Sequence, residues 1–286
     1  MKHFKYFFQF LFISFLLIFF KIIGLKFSRI IASKLLSTFG PFFRSKKIIE
    51  KNISFAFKES NIDFKKAIIE KMWKSYGKIL AEYVFMKHFR KIKSEKFLEV
   101  KGQEILESIK LSKDPVIFIS GHFDNFELMA MHIEKSGVNL AAIYRPLNNN
   151  FLNPFMENIR KKYICRKQIK KGISGTKEIL KYFKSGTSIA LMIDQRVSQG
   201  IKSLLFNHEA FTTTIPAQFV KKFNCKIVPI YIERKNNENF MLEIMQPISF
   251  DNSKTIENIT LNLNQLLEKM IVRKPHQWIW SHNRWK

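Results

Sequence analysis

The chain has 286 residues, 46% of them hydrophobic, so it can bury one large core or two small ones and is not a disordered tail. Its 49 Lys and Arg against 23 Asp and Glu give a net charge of +26, which favours anionic partners: nucleic acid, anionic lipid or an acidic carrier protein. Two cysteines, Cys165 and Cys225, lack CxxC spacing; they exclude a zinc ribbon and a disulfide framework and fit free thiols in a reducing compartment. Lys outnumbers Arg 39 to 10 and Phe reaches 30, as an AT-rich coding sequence would give, so each Arg inside a motif is the more informative.

Tyr6 to Phe20 is an apolar run of fifteen residues, softened by Gln9 and Ser14 and flanked by Lys2, Lys5, Lys21, Lys26 and Arg29. A spanning helix needs about 20 apolar residues, a length reached by extending to Leu25 with Lys21 snorkelling. A signal peptide would need a small-residue cleavage site, which is missing. A buried core helix is the other reading, but Phe and Leu on every face suit lipid better. Residues 1–25 are therefore expected to be a membrane anchor, spanning or partly inserted. Phe27 to Phe43 is amphipathic, ending at Gly40-Pro41; it fits either the bilayer surface or the core.

Residues 45–92 read as helical, with Met72, Trp73, Tyr76, Ile79, Leu80 and Tyr83 on related faces. From Pro115 the pattern alternates. Strands are expected at 115–120, 139–145, 188–193, 226–233 and 240–246, and helices at 125–136, 154–163, 174–184, 216–223 and 255–272. This alternation predicts an α/β fold: a single mixed, largely parallel sheet flanked by helices, with an antiparallel edge. The chain is expected to divide into an anchor (1–25), a helical, partly amphipathic region packing on the remainder (26–92) and an α/β domain (93–286).

Gly121 to Glu127, Gly-His-Phe-Asp-Asn-Phe-Glu, follows the apolar run Pro115–Ser120 and opens the next helix. His122 and Glu127 thus stand where a strand ends and a helix begins, the place where reactive groups gather in open α/β sheets. The spacing alone has a chance expectation of roughly one half at this composition. Geometry adds weight: on one helix, positions i and i+5 lie about 140° apart, but a His in the turn can meet a Glu reaching back from the first helical turn. Such a carboxylate would hold one ring nitrogen and leave the other as a base. With no Ser or Cys beside them, a substrate hydroxyl would be the nucleophile.

The stretch resembles the H-x(4)-D/E motif of glycerolipid acyltransferases, and the chain as a whole resembles the late acyltransferases of lipid A biosynthesis, the lauroyl/myristoyl transferase family. The resemblance runs through Lys47–Asn52, Trp73-Lys74-Ser75-Tyr76-Gly77, Tyr144-Arg145-Pro146 and Ile189 to Gln195. It continues through Phe206 with Ala210-Phe211-Thr212-Thr213 and Pro216-Ala217, and closes in His276-Gln277-Trp278-Ile279-Trp280-Ser281-His282-Asn283-Arg284-Trp285-Lys286. Their order and separation carry the specificity.

By position, the resemblance implies His122 and Glu127 as the catalytic pair, with Arg160 and Asp194 as further important positions. Arg145, Asn125 and Gln195 join them as residues that bind substrate or brace the site. It implies transfer of a fatty acyl group from acyl carrier protein to a hydroxyl of a phosphorylated glycolipid, a lipid A precursor, without a metal or tightly held cofactor. It also implies an inner-membrane enzyme whose domain faces the cytoplasm. The same fold acting on another glycolipid, an aminolipid or a lysophospholipid is the alternative. A membrane-tethered nucleic-acid binder rests on charge alone, with no nucleic-acid motif behind it, so nucleic acid is not expected as a partner. Two departures stand out. Asp124 puts a second carboxylate beside His122, and Phe206-Asn207 replaces the family's Phe-Gly. Arg196 has no assigned role.

Overall fold

The computed structural model of this chain describes residues 2–92, 94–236 and 238–286. Helix α1 (Lys2–Phe39) is broken at Gly24, whose φ of 79° and ψ of 165° fit a residue without Cβ. The helix running from His3 to Phe43 is, by length and composition, long and apolar enough to cross a membrane. Its first half still buries Leu17 and Phe20 against the body, while Phe8, Phe12, Phe15 and Ile22 face outward. The second half, the amphipathic stretch of the sequence, packs on the core, although Phe27, Ile30 and Phe39 remain exposed. A 3₁₀ turn over Gly40–Phe43 follows.

Ser45 caps α2 (Lys46–Ala56) and Asn61 caps α3 (Ile62–Glu82), each side chain accepting from a backbone N–H in the first turn. Helix α3 runs against α1. The contact depends on Gly77, where an added Cβ would lie 2.1 Å from the Ala32 carbonyl oxygen. Helix α4 (Met86–Lys91) ends the helical region.

The α/β part then runs β1 (Leu98–Lys101), α5 (Gln103–Ser112), β2 (Ile117–Ser120), α6 (Glu127–Lys135), β3 (Leu140–Tyr144) and α7 (Leu152–Ile159). A π-helical turn over Arg160–Ile164 leads to β4 (Lys167–Lys170), α8 (Ile173–Lys184) and β5 (Ser188–Met192). Next come β6 (Ile201–Leu205), β7 (His208–Thr212), α9 (Ile215–Phe223), β8 (Ile227–Arg234), β9 (Phe240–Ile244) and α10 (Ile256–Arg273).

Among the described residues, seven strands form one sheet in the order β1-β9-β8-β2-β5-β3-β4. All neighbours are parallel except β8 and β9, so the expected mixed, largely parallel sheet is present and its direction reverses near one end. The five strands expected from the sequence are all there. Strands β1 and β4 and the β6–β7 hairpin are additions to that expectation. The hairpin turns on Phe206 and Asn207 at φ of 52° and 60°, a two-residue turn with both central residues left-handed; Asn tolerates what Gly usually supplies. The core lies on both faces of the central strands, where Ile117, Phe118, Ile119, Ile189, Ile227 and Val228 are buried.

Candidate active site

Strands β2 and β5 are parallel neighbours, with Ser120 opposite Met192. Their carboxyl ends are therefore adjacent, and the residues just beyond them meet: His122 from the turn after β2 and Asp194 from the turn after β5. Asp194 is fully buried. Its Oδ1 lies 2.7 Å from His122 Nδ1, and its Oδ2 accepts from the His122 backbone N–H at 2.7 Å. The indole of Trp278 donates to the same Oδ2 at 2.8 Å. Burial works to raise the Asp194 pKa, but the His122 charge, both His122 hydrogen bonds and the Trp278 indole outweigh it and hold the carboxyl below its ordinary range. A carboxylate on Nδ1 makes that nitrogen the donor and leaves Nε2 as the basic one. Gln195 Nε2 stands 3.5 Å from His122 Nε2, at the limit of a hydrogen bond. Phe126 packs edge-on against the imidazole, ring centroids 4.7 Å apart.

Glu127 is not on the imidazole, where the sequence pattern alone would put it. It opens α6, is almost fully buried, and accepts at Oε1 from the Tyr83 hydroxyl and from Arg160 Nε at 2.8 Å. Arg160 Nη2 also donates to the Tyr83 oxygen at 3.2 Å, closing a triangle. Burial opposes the Arg160 charge, yet Glu127 and then Tyr83 hold its pKa above the ordinary value. Burial and then the Glu127 charge raise the Tyr83 phenol, which remains a donor. The physical reason for the different pairing is reach. The turn points the His122 ring at the end of β5, whereas Glu127 in the first turn of α6 faces Tyr83, just past α3, and the π-helical turn that begins at Arg160.

Both groups open into one cavity of about 880 Å³. His122, Glu127, Tyr144, Arg145, Arg160 and Gln195 line it, and part of its wall is apolar, with Phe118, Ile119, Met129, Ile133, Ala142 and Leu191. Arg44, Arg145, Lys171, Arg196 and Lys286 also line it, so among the described residues cationic side chains outnumber the single acidic one there, Glu127. Six of the seven residues named from the sequence, His122, Glu127, Arg160, Asp194, Arg145 and Gln195, thus gather at this site. Asn125 does not face the cavity: it is fully buried and donates to Glu82 Oε2 at 2.7 Å.

Asp124 turns away from His122. Its carboxylate takes Arg234 Nη2 at 2.6 Å and Arg234 Nε at 3.2 Å. Arg196 donates its backbone N–H to His282 Nε2 at 3.0 Å and its Nε to the Lys286 carbonyl at 3.0 Å, tying the closing segment to the turn after β5. Burial drives the His282 pKa down to about 4, which keeps that nitrogen a neutral acceptor. Trp278 and Trp280 are buried in the core. Tyr83 and Trp278 hold site residues in place and are missed by sequence reasoning, as are Glu82 and Arg234 behind them. Tyr83 gives only helical periodicity, and Arg234 gives one signal, a rare Arg ending a strongly apolar strand.

The model of the family described as bacterial lipid A biosynthesis acyltransferase matches residues 1–286. The lipid A biosynthesis lauroyltransferase of Escherichia coli (strain K12) is 23% identical over 256 residues, covering 85% of this chain and 79% of that protein. The palmitoleoyltransferase of the same strain is 23% identical over 251 residues, with the same coverage of both chains. The myristoyltransferase of that strain is 19% identical over 232 residues, covering 80% and 71%. With the family model spanning its whole length, the chain belongs to the bacterial lipid A biosynthesis acyltransferases.

Proposed function

We propose that this chain transfers a fatty acyl group from acyl carrier protein to a hydroxyl of a lipid A precursor, with His122 as general base and Asp194 as the group that orients it. The observation that carries the reading is the Asp194–His122 pair, with His122 on the wall of a partly apolar cavity. His122 Nε2 takes the proton of the acceptor hydroxyl as its oxygen attacks the thioester carbonyl. Asp194 holds the ring in the one useful tautomer and stabilises the imidazolium that forms. The new C–O ester bond forms, the C–S bond breaks, and the departing sulfur takes its proton from the imidazolium. Glu127 and Tyr83 hold Arg160 on the cavity wall, where a cation favours the developing negative charge. Arg145 and the other wall cations suit the acceptor's phosphates and the phosphopantetheine phosphate of the donor.

Residues 1–25 act as the anchor, 26–92 as the helical region that packs on the catalytic part, and 93–286 as the catalytic domain. A cytosolic acyl carrier protein requires a cytoplasmic-facing domain at the inner membrane, and the +26 charge favours both the acidic donor and an anionic leaflet. The apolar wall receives the acyl chain.

Purified full-length protein given labelled acyl carrier protein and a lipid A precursor should form labelled acylated product. Mass spectrometry of lipid A from cells with and without the protein should differ by one acyl chain. An inert lipid A precursor, with label passing to another glycolipid, an aminolipid or a lysophospholipid, would overturn the acceptor assignment.

A further inference from the structure

A second cluster of charges lies behind the site, wholly buried, and the acyl-transfer chemistry does not use it. Arg29 on the second half of α1 donates from Nε to Glu82 Oε1 at 2.6 Å. Arg234, the last residue of β8, grips both Glu82 oxygens, at 2.8 and 3.0 Å. The same guanidinium holds both Asp124 oxygens, and Glu82 Oε2 also takes the Asn125 amide. Arg29 and Arg234 are each 5% exposed, Asp124 2%, and Glu82 and Asn125 not at all.

Asp124 and Asn125 belong to the turn that carries His122. Asp124 has φ of 34°, a left-handed conformation that a residue with a Cβ keeps only when its surroundings hold it. Its backbone N–H is bound by the Gln277 carbonyl at 2.8 Å, and the Gln277 side chain is in turn clamped to the Arg234 backbone. Asp124 Oδ1 accepts from the Asn125 N–H at 2.8 Å. The turn is therefore fixed from three sides: α3, β8 and the segment after α10. The anchor-bearing helix reaches it through Arg29.

We propose that Arg29 is a positioning residue for the His122 turn, acting through Glu82 and Arg234 on Asp124 and Asn125. This rests on the acyl-transfer reading only in taking His122 as the base. The charges explain the coupling. Glu82 and Asp124 carry two negative charges that share Arg29 and Arg234, with half-buried Lys78 close by. Without Arg29, Arg234 becomes the principal counter-charge of both carboxylates. In a site with little water that attraction draws it towards Glu82 and loosens Asp124. The left-handed turn then relaxes, and the imidazole moves against Asp194. The second half of α1 is in this sense part of the catalytic scaffold and not only the base of an anchor.

The test is Arg29→Met in the full-length, detergent-purified protein, with kinetics expressed per folded molecule and amide exchange followed across residues 117–127. Small misplacements of a reacting group cost up to about a hundredfold, so kcat should fall about tenfold or more while KM stays within about threefold. Exchange in 117–127 should rise, and Arg29→Lys should recover most of kcat. A folded Arg29→Met protein with unchanged exchange in 117–127 or near-normal kcat would overturn the proposal. If Arg29→Met does not fold, Glu82→Gln, which keeps the side chain's shape, takes its place: a lower kcat with faster exchange supports the proposal, and no change in either overturns it. The exchange measurement needs no substrate. An inert lipid A precursor with wild-type protein would count against the acyl-transfer reading, and unchanged exchange against this one.

Discussion

Replacing Asp194 by Asn tests which carboxylate serves the base. Asp194 accepts three hydrogen bonds, two from His122 and one from Trp278. An amide has one acceptor oxygen and an NH₂ group that only donates. If the oxygen stays with the His122 backbone and the Trp278 indole, the NH₂ faces Nδ1 and selects the opposite tautomer. Nε2 then carries the proton and cannot take one from a hydroxyl. General-base catalysis is worth about 10² to 10⁴ in rate, so kcat should drop about 10³-fold. That corresponds to about 4 kcal/mol in the barrier. Because Asp194 lies behind His122, fully buried and off the cavity wall, KM should change by less than about threefold, the signature of an interaction lost in the transition state. The assay is steady-state acyl transfer, paired with imidazole ¹⁵N shifts that report the tautomer. If Asp194→Asn kept near-normal kcat and Glu127→Gln abolished it, the orienting role would belong to Glu127 and the geometric argument would be wrong.

Three further expectations bear on the scaffold. Gly77→Ala forces a Cβ to 2.1 Å from the Ala32 oxygen, and overpacking of this kind costs about 1–3 kcal/mol; denaturant unfolding with no loss would show that α1 and α3 separate freely. Trp278→Phe removes one donor from the Asp194 carboxylate, a bond to a charged group worth about 1.5–3 kcal/mol, and should lower both stability and kcat; an unchanged kcat would remove Trp278 from the bracing of Asp194. His132 is 8% exposed, its Nε2 is 2.8 Å from Gln103 Oε1, and burial followed by Lys135 lowers its pKa to about 4. The unfolded His titrates near 6.5, so the unfolded state binds the extra proton first. Stability is full above that value and falls as pH drops through it towards about 4, by about 2 kcal/mol at about pH 5. His132→Gln should flatten that slope, and parallel wild-type and variant curves would refute it.

What is legible in the sequence depends on how local its cause is. The five buried strands announce themselves as apolar runs, and His122 stands out because a strand end and a helix start bracket it. Strands β1 and β4 stay hidden because Leu-Glu-Val-Lys and Lys-Gln-Ile-Lys are short, half-polar edge segments. The β6–β7 turn is hidden because its left-handed residues are Phe and Asn rather than Gly. The pairing of His122 is misplaced for a deeper reason. Glu127 lies five residues away along the chain and Asp194 seventy-two, and only the adjacency of β2 and β5 shows which one is close in space. Asp194 is still legible as a strand-end acid. Glu82 is not, because an acid on a helix reads as solvated until two arginines from other elements are seen to converge on it.

The placement of β2 and β5 also bears on how the enzyme fails. These strands lie inside the seven-stranded sheet, with paired neighbours on both sides. Fraying begins at edges and termini and reaches such strands only near global unfolding. Heat should therefore leave β2 and β5 paired until the sheet itself gives way. The part of the site that rests directly on their carboxyl ends should be the last to come apart.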